Sequence, residues 1–206
     1  MSFSRRLLLG LPLALAAGQR TAAAADPGAA PAAQIRRFYD ALLAVMKQAK
    51  RLTFDERYNR LAPTITQTFD LALMTRIAVG PDWSRLAAAQ QQALTVAFSR
   101  YTISVYANRF DGYGGERFEV TPQAVASPNG VIVDSRLIKG NGETVSLNYL
   151  MRQEATGGWK VIDVYLSGTI SELATRRSEF LAVLQRDGAD GLLRMIEKRT
   201  AALRTG

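Results

Sequence analysis

The hydrophobic period of this chain changes from helical to extended near Arg117, and that change limits the fold more than any other feature of the sequence. Before it, apolar residues recur every three or four positions, the spacing of one face of an α-helix. Ile35, Phe38, Leu42, Val45 and Met46 predict a first helix over about 32–50. Thr53 with Glu56 three residues on has the spacing of a capping box, and predicts a short helix to Leu61 with Pro63 starting another. Ile65, Phe69, Leu73 and Ile77 then fall on one helical face until Gly80-Pro81 stops it. Ser84 is placed to cap a long helix to about Phe110, with Leu86, Leu94, Phe98, Tyr101 and Val105 along one side.

From Arg117 the period is two. Pro128-Asn129-Gly130, Gly140-Asn141-Gly142 and Gly157-Gly158 are turn signals that separate four strands, at about 117–126, 131–139, 143–154 and 159–167. Links this short make the sheet an antiparallel meander. In the third strand Val145, Leu147, Tyr149 and Met151 share one face, and Thr144, Ser146 and Asn148 the other, so one face is buried and one is wet. A helix should begin near Ser171, break at Gly188 and be followed by an amphipathic helix over about 191–203. A helical half, a meander and further helices give an α+β class, with helices packed on the apolar face of the sheet.

The first 25 residues read as an address. Arg5 and Arg6 precede an apolar run from Leu7 to Ala17, and Ala23-Ala24-Ala25 offers a cleavage site before Asp26. That run is about half the roughly 20 residues needed to span a bilayer. Ser4-Arg5-Arg6-Leu7-Leu8 also resembles a twin-arginine signal, which leaves two export routes open. Residues 26–33 are rich in Ala, Pro and Gly and are expected to form a mobile lead-in. Residues 34–206 are expected to form one domain, of a size that buries a sizeable core.

The whole chain carries a formal net charge of +8, to which Arg5, Arg6 and Arg20 of the signal contribute, so the exported part is modestly basic. With 0 Cys, no disulfide staples it and no lipid anchor attaches at the cleavage site. With 0 His, Ser-His-Asp and Cys-His catalysis are excluded, together with every His or Cys ligand for a metal. Carboxylate, lysine, tyrosine and hydroxyl chemistry is left. Asp134 or Asp163 with Tyr149 or Tyr165 could form a proton-abstraction site of the kind a small isomerase or hydratase uses. Gly112-Tyr113-Gly114-Gly115 has no Lys-Ser/Thr behind it and follows a helix, so it reads as a turn and not a phosphate cradle. Arg176, Arg177, Lys198 and Arg199 concentrate positive charge near the C-terminus, on a solvated face or toward an anionic partner. The apolar stripes are ordinary core if their faces meet, and walls of a pocket if they stay apart.

Phe69-Asp70, Arg76, Val79-Gly80, Trp83, Gln90 and Phe98, followed by Tyr149, the run from Trp159 to Val164, and Gly168, occur in an order that resembles the periplasmic MlaC family of lipid-binding proteins. The run from Thr169 to Phe180 looks most like its hopanoid-associated branch, HpnM. The resemblance implies a periplasmic carrier, not an enzyme, without cofactor or metal. Such a carrier holds the tails of a phospholipid or a hopanoid-type lipid between helices and sheet. It touches membranes transiently and exchanges cargo with membrane-bound transport complexes, and it has no nucleic-acid partner. The pocket would be drawn from Phe69, Leu73, Ile77, Leu94, Phe98, Tyr101 and Val105 on the helices. Val133, Val145, Leu147, Tyr149 and Val161 on the strands would close it. A non-catalytic envelope adaptor with a solid interior is the remaining alternative.

Overall fold

The computed structural model describes residues 28–205, so the expected signal and the first residues of the expected lead-in lie outside the described part. Helix α1 (Ala29–Met46) buries Ile35, Phe38, Tyr39 and Leu42 on one side. It begins at Ala29, and Pro31 and Ala32 are already buried in its first turn, so most of the stretch read as a mobile lead-in is helix. A 3-10 turn (Ala49–Arg51) leads to helix α2 (Phe54–Thr68). Its capping box forms as expected: the Glu56 amide donates to Thr53 Oγ1 at 3.2 Å, and the Thr53 amide donates to Glu56 Oε2 at 2.7 Å. Pro63 sits inside α2 and does not start a new helix.

The chain breaks instead at Phe69 and Asp70. Phe69 is extended and forms a parallel bridge to Val161, while Asp70 caps helix α3 (Leu71–Val79) by accepting from the Leu73 amide at 2.9 Å. The interruption resets the helical phase, so the stripe expected through Ile65, Phe69, Leu73 and Ile77 is not continuous. Leu71, Met74 and Ala78 are buried on α3, and Leu73 and Ile77 are only half-buried. A 3-10 turn (Gly80–Arg85) contains Ser84, and helix α4 (Ala88–Arg109) starts later than expected. Gln90, not Ser84, serves its first turn, its Oε1 accepting from the Ala87 amide at 3.2 Å.

The sheet is antiparallel throughout, with strands β1 (Arg117–Val120), β2 (Val125–Ser127), β3 (Gly130–Ile138), β4 (Thr144–Gln153), β5 (Trp159–Leu166) and β6 (Ile170–Ser171). β3, β4 and β5 form the expected meander, and β6 adds to its far edge. The strand expected over 117–126 is two short strands, both paired with β3. Pro122, between them, has no N–H to give to a ladder. Helix α5 (Glu172–Thr205) is bent at Gly188, whose φ of 68° and ψ of −171° suit glycine alone. The Gly114 and Gly140 loops meet backbone to backbone, and a Cβ at Gly140 would overlap the Gly114 carbonyl. Gly112 to Gly115 is thus a turn with a packing role.

Helix α4 lies at the centre of the helical layer, against α2, α3 and α5. The layer covers one face of the sheet, and the core between them holds Phe38, Leu42, Phe69, Phe98, Tyr149, Val161 and Phe180. Among the described residues, no helix is long and apolar enough to cross a membrane.

Candidate functional site

The core does not close completely. Where α4 crosses the sheet, an apolar pocket of about 120 Å³ stays open between the layers. From α4 it is faced by Phe98, Tyr101, Thr102, Val105, Tyr106 and Arg109, positions spaced to share one side of a helix. Leu147 and Tyr149 of β4, with Val164 and Leu166 of β5, supply the sheet wall. Tyr39 and Leu42 of α1, Phe69, and Met74 of α3 close one end, and Glu172, Leu173 and Arg176 from the start of α5 stand at the other. The sheet residues are in phase because Tyr149 pairs with Val164, and Leu147 with Leu166, across β4 and β5.

The floor of the pocket is aromatic. Phe38, Phe69, Tyr106 and Tyr149 meet edge-on or tilted, with ring centroids 5.3 to 6.4 Å apart, and Tyr39 stacks on Phe118 at 4.1 Å. Tyr39 is the polar link: its hydroxyl donates to the Tyr149 oxygen at 2.9 Å and shares a 2.7 Å hydrogen bond with the Ser135 hydroxyl. Ser135 in turn donates to the Leu147 carbonyl. Burial pushes the Tyr39 phenol up to about 12, against the opposing effect of its bonds to Ser135 and Tyr149. Burial, with the neighbouring phenols, raises Tyr106 and Tyr149 as well. All three phenols are therefore neutral donors at ordinary pH.

At the α5 end the charges are mostly paired. The Arg176 guanidinium lies 5.1 Å from the centre of the Tyr101 ring, within 3.8 Å of Glu172 and 3.4 Å of Glu179. Glu179 also binds Arg199 at 2.6 Å, which ties the two halves of α5 across the bend at Gly188. Asp163, read as a possible base, is only 8% exposed and fully engaged. It accepts from the Ser171 hydroxyl at 2.6 Å and from the Val164 and Leu173 amides at 2.8 and 3.2 Å, and so holds the start of α5 on the sheet. Asp134 accepts from Asn148 at 2.6 Å. Neither carboxylate lines the pocket.

Of the twelve residues proposed from sequence, Phe69, Phe98, Tyr101, Val105, Leu147 and Tyr149 come together around the pocket. Leu94, Val133 and Val161 lie in solid core, at 1% exposure or less. Leu73, Ile77 and Val145 are half-buried away from it. Sequence reasoning missed the rest of the lining, among them Tyr39, Leu42, Met74 and Tyr106 on the helical side and Val164 and Leu166 on the sheet. Leu42 was visible as part of the first helical stripe and Tyr39 was not, and only the tertiary crossing of α1 over the sheet brings them here. A second groove, of about 660 Å³, runs between α4 and the later part of α5. It is shallow, with Gln92, Arg100, Glu197 and Arg204 in its walls, and offers no dry interior.

A helical layer laid over an antiparallel sheet, with an apolar, tyrosine-floored pocket between them, defines a protein built to enclose an apolar ligand. The chain belongs to the MlaC protein family, whose model matches residues 36–198. Its fold is similar to that of the phospholipid-binding protein from Ralstonia solanacearum, solved in complex with a phospholipid. The two share 28% sequence identity, with a TM-score of 0.73 over 84% of this chain and 98% of that one. No curated protein matches the chain significantly.

Proposed function

We infer that this protein is a periplasmic lipid carrier that takes the apolar part of a phospholipid or hopanoid-type lipid into the pocket and shuttles it between membranes. The observation that carries this reading is the pocket itself, an apolar space left open between two layers that are otherwise tightly packed. Its family and the phospholipid held by the Ralstonia solanacearum protein support the same conclusion. The physical need is large, because a tail of roughly 16 carbons leaving a bilayer unaided faces about 12 kcal/mol, at about 0.8 kcal/mol per methylene. A dry wall of Phe98, Val105, Leu147 and Val164 replaces that exposure. Such transport needs no bond chemistry, which fits a site whose nearby carboxylates are engaged, Asp163 with the start of α5 and Glu172 with Arg176.

At about 120 Å³ the pocket is close to the size of a cavity that holds one benzene, so loading a whole tail requires the layers to part. The cargo would be exchanged with membrane-bound transport complexes during brief membrane contact. A vesicle assay tests the reading: the purified protein should accelerate lipid transfer from donor to acceptor vesicles in proportion to its concentration. A transfer rate equal to the protein-free rate would count against a carrier.

A further inference from the structure

One side of the pocket is not apolar. Thr102, Tyr106 and Arg109 follow one another on α4 at i, i+4 and i+7, and all three face the pocket. Thr95 and Ser99, earlier on the same helix, turn their hydroxyls back to the carbonyls four residues before them, at 2.8 and 2.7 Å. Thr102 has no such bond, and its hydroxyl has no hydrogen-bond partner among the described residues. Arg109 is exposed at the lip, and its guanidinium has no carboxylate partner among the described residues, whereas Arg176 across the pocket is held by two glutamates. Tyr106 stands between Thr102 and Arg109, with its hydroxyl beside that of Tyr149. The three form a line of hydrogen-bond donors about 10 Å long, rising from the interior to the mouth.

We propose that this donor line binds the polar linkage of a glycerophospholipid, with Thr102 and Tyr106 donating to acyl ester carbonyls and Arg109 to the phosphodiester. The proposal rests on the lipid-carrier reading and narrows it. An amphiphile whose tails lie against Phe98, Val105 and Leu147 must bring its linkage out past α4, where this line runs. Tyr106 and Arg109 are separated by about 4.5 Å of helix rise, a span the ester and phosphate of one glycerol unit can bridge with these long side chains. A guanidinium matches a phosphodiester in charge and in geometry. A polycyclic hydrocarbon without a phosphate would leave the line without acceptors.

The experiment offers delipidated protein to vesicles containing equal amounts of phosphatidylglycerol and diacylglycerol with the same acyl chains, and quantifies the bound lipid by mass spectrometry. The wild type should prefer phosphatidylglycerol by about tenfold or more, the scale of a hydrogen bond to a charged group. Arg109→Gln should bring the ratio close to one by loss of the phosphate-bearing lipid. Thr102→Val should weaken uptake of diester phosphatidylglycerol while leaving its diether analogue, which lacks carbonyls, unaffected. If the wild type binds both lipids equally, or Arg109→Gln keeps the wild-type ratio, the donor line is wrong and the carrier reading stands. If the wild type binds neither lipid, the phospholipid-carrier reading falls and takes the donor line with it.

Discussion

Leu147 is the position where the pocket can be disturbed with least harm to the core. It lies half-buried on β4, pairs with Ser135 and Leu166, and turns its side chain into the pocket. Leu147→Ala removes about three carbons from the wall. At about 0.8 kcal/mol per buried methylene, a bound tail loses up to about 2 kcal/mol of contact, a factor of roughly 30 in affinity. Leu147→Asp does more, because a carboxylate in an apolar wall forces water in or takes up a proton. Displacing the tail should then cost at least about 3 kcal/mol, or more than a hundredfold. Delipidated variants would be titrated with phosphatidylglycerol vesicles and the bound lipid measured by mass spectrometry, with a thermal melt as the control for folding. Graded loss, Asp worse than Ala, is expected. A Leu147→Asp variant that melts cooperatively and still fills to the wild-type level would refute the assignment of this pocket to the tails.

The buried phenols predict a loss of stability in alkali. Tyr39 is raised in the folded state, so its contribution is fully present below the ordinary tyrosine value and is lost as pH rises from about 10 to about 12. That difference corresponds to roughly 3 kcal/mol, and tyrosinate absorbance and circular dichroism should change together in that window; early tyrosinate formation in a still folded protein would contradict the burial. Asp163→Ala leaves the Ser171 hydroxyl and the Val164 and Leu173 amides without their acceptor and should destabilise by about 2–3 kcal/mol, read from urea unfolding. An unchanged midpoint would show that α5 is not anchored there. Gly188→Ala meets no neighbouring atoms, so its cost is backbone strain alone, about 1–3 kcal/mol, and wild-type stability in the variant would mean the bend is not fixed.

The class of the fold was legible because two signals agree. The period changes at Arg117, and the turn residues at Gly130, Gly142 and Gly157 all adopt positive φ where the meander needs it. Elements failed where a local event overrode periodicity. Ile65 and Leu73 look like one stripe, yet the extended Phe69 and the Asp70 cap rotate α3 out of phase, and burial passes to Leu71 and Met74. Pro122 divides the first strand, although the residues on both sides alternate as a strand should. Half of the proposed pocket residues reached the pocket for a similar reason. Phe98, Tyr101 and Val105 sit on one uninterrupted helix, and Leu147 and Tyr149 on one strand, so local phase carried over to tertiary position. Val133 and Val161 have the same phase on neighbouring strands, but helices press directly on them. Where two layers touch and where they part is set by crossing angles and by aromatic volume, which the order of residues alone does not encode.

The central claim is that the space between α4 and the sheet is kept for the apolar part of a lipid. An organic extract of the purified protein, analysed by mass spectrometry alongside intact-mass measurement under native conditions, tests it most directly. The account predicts a near-stoichiometric lipid that leaves with the extract and is regained from vesicles. A protein that is empty as isolated, and stays empty after incubation with vesicles, would contradict it.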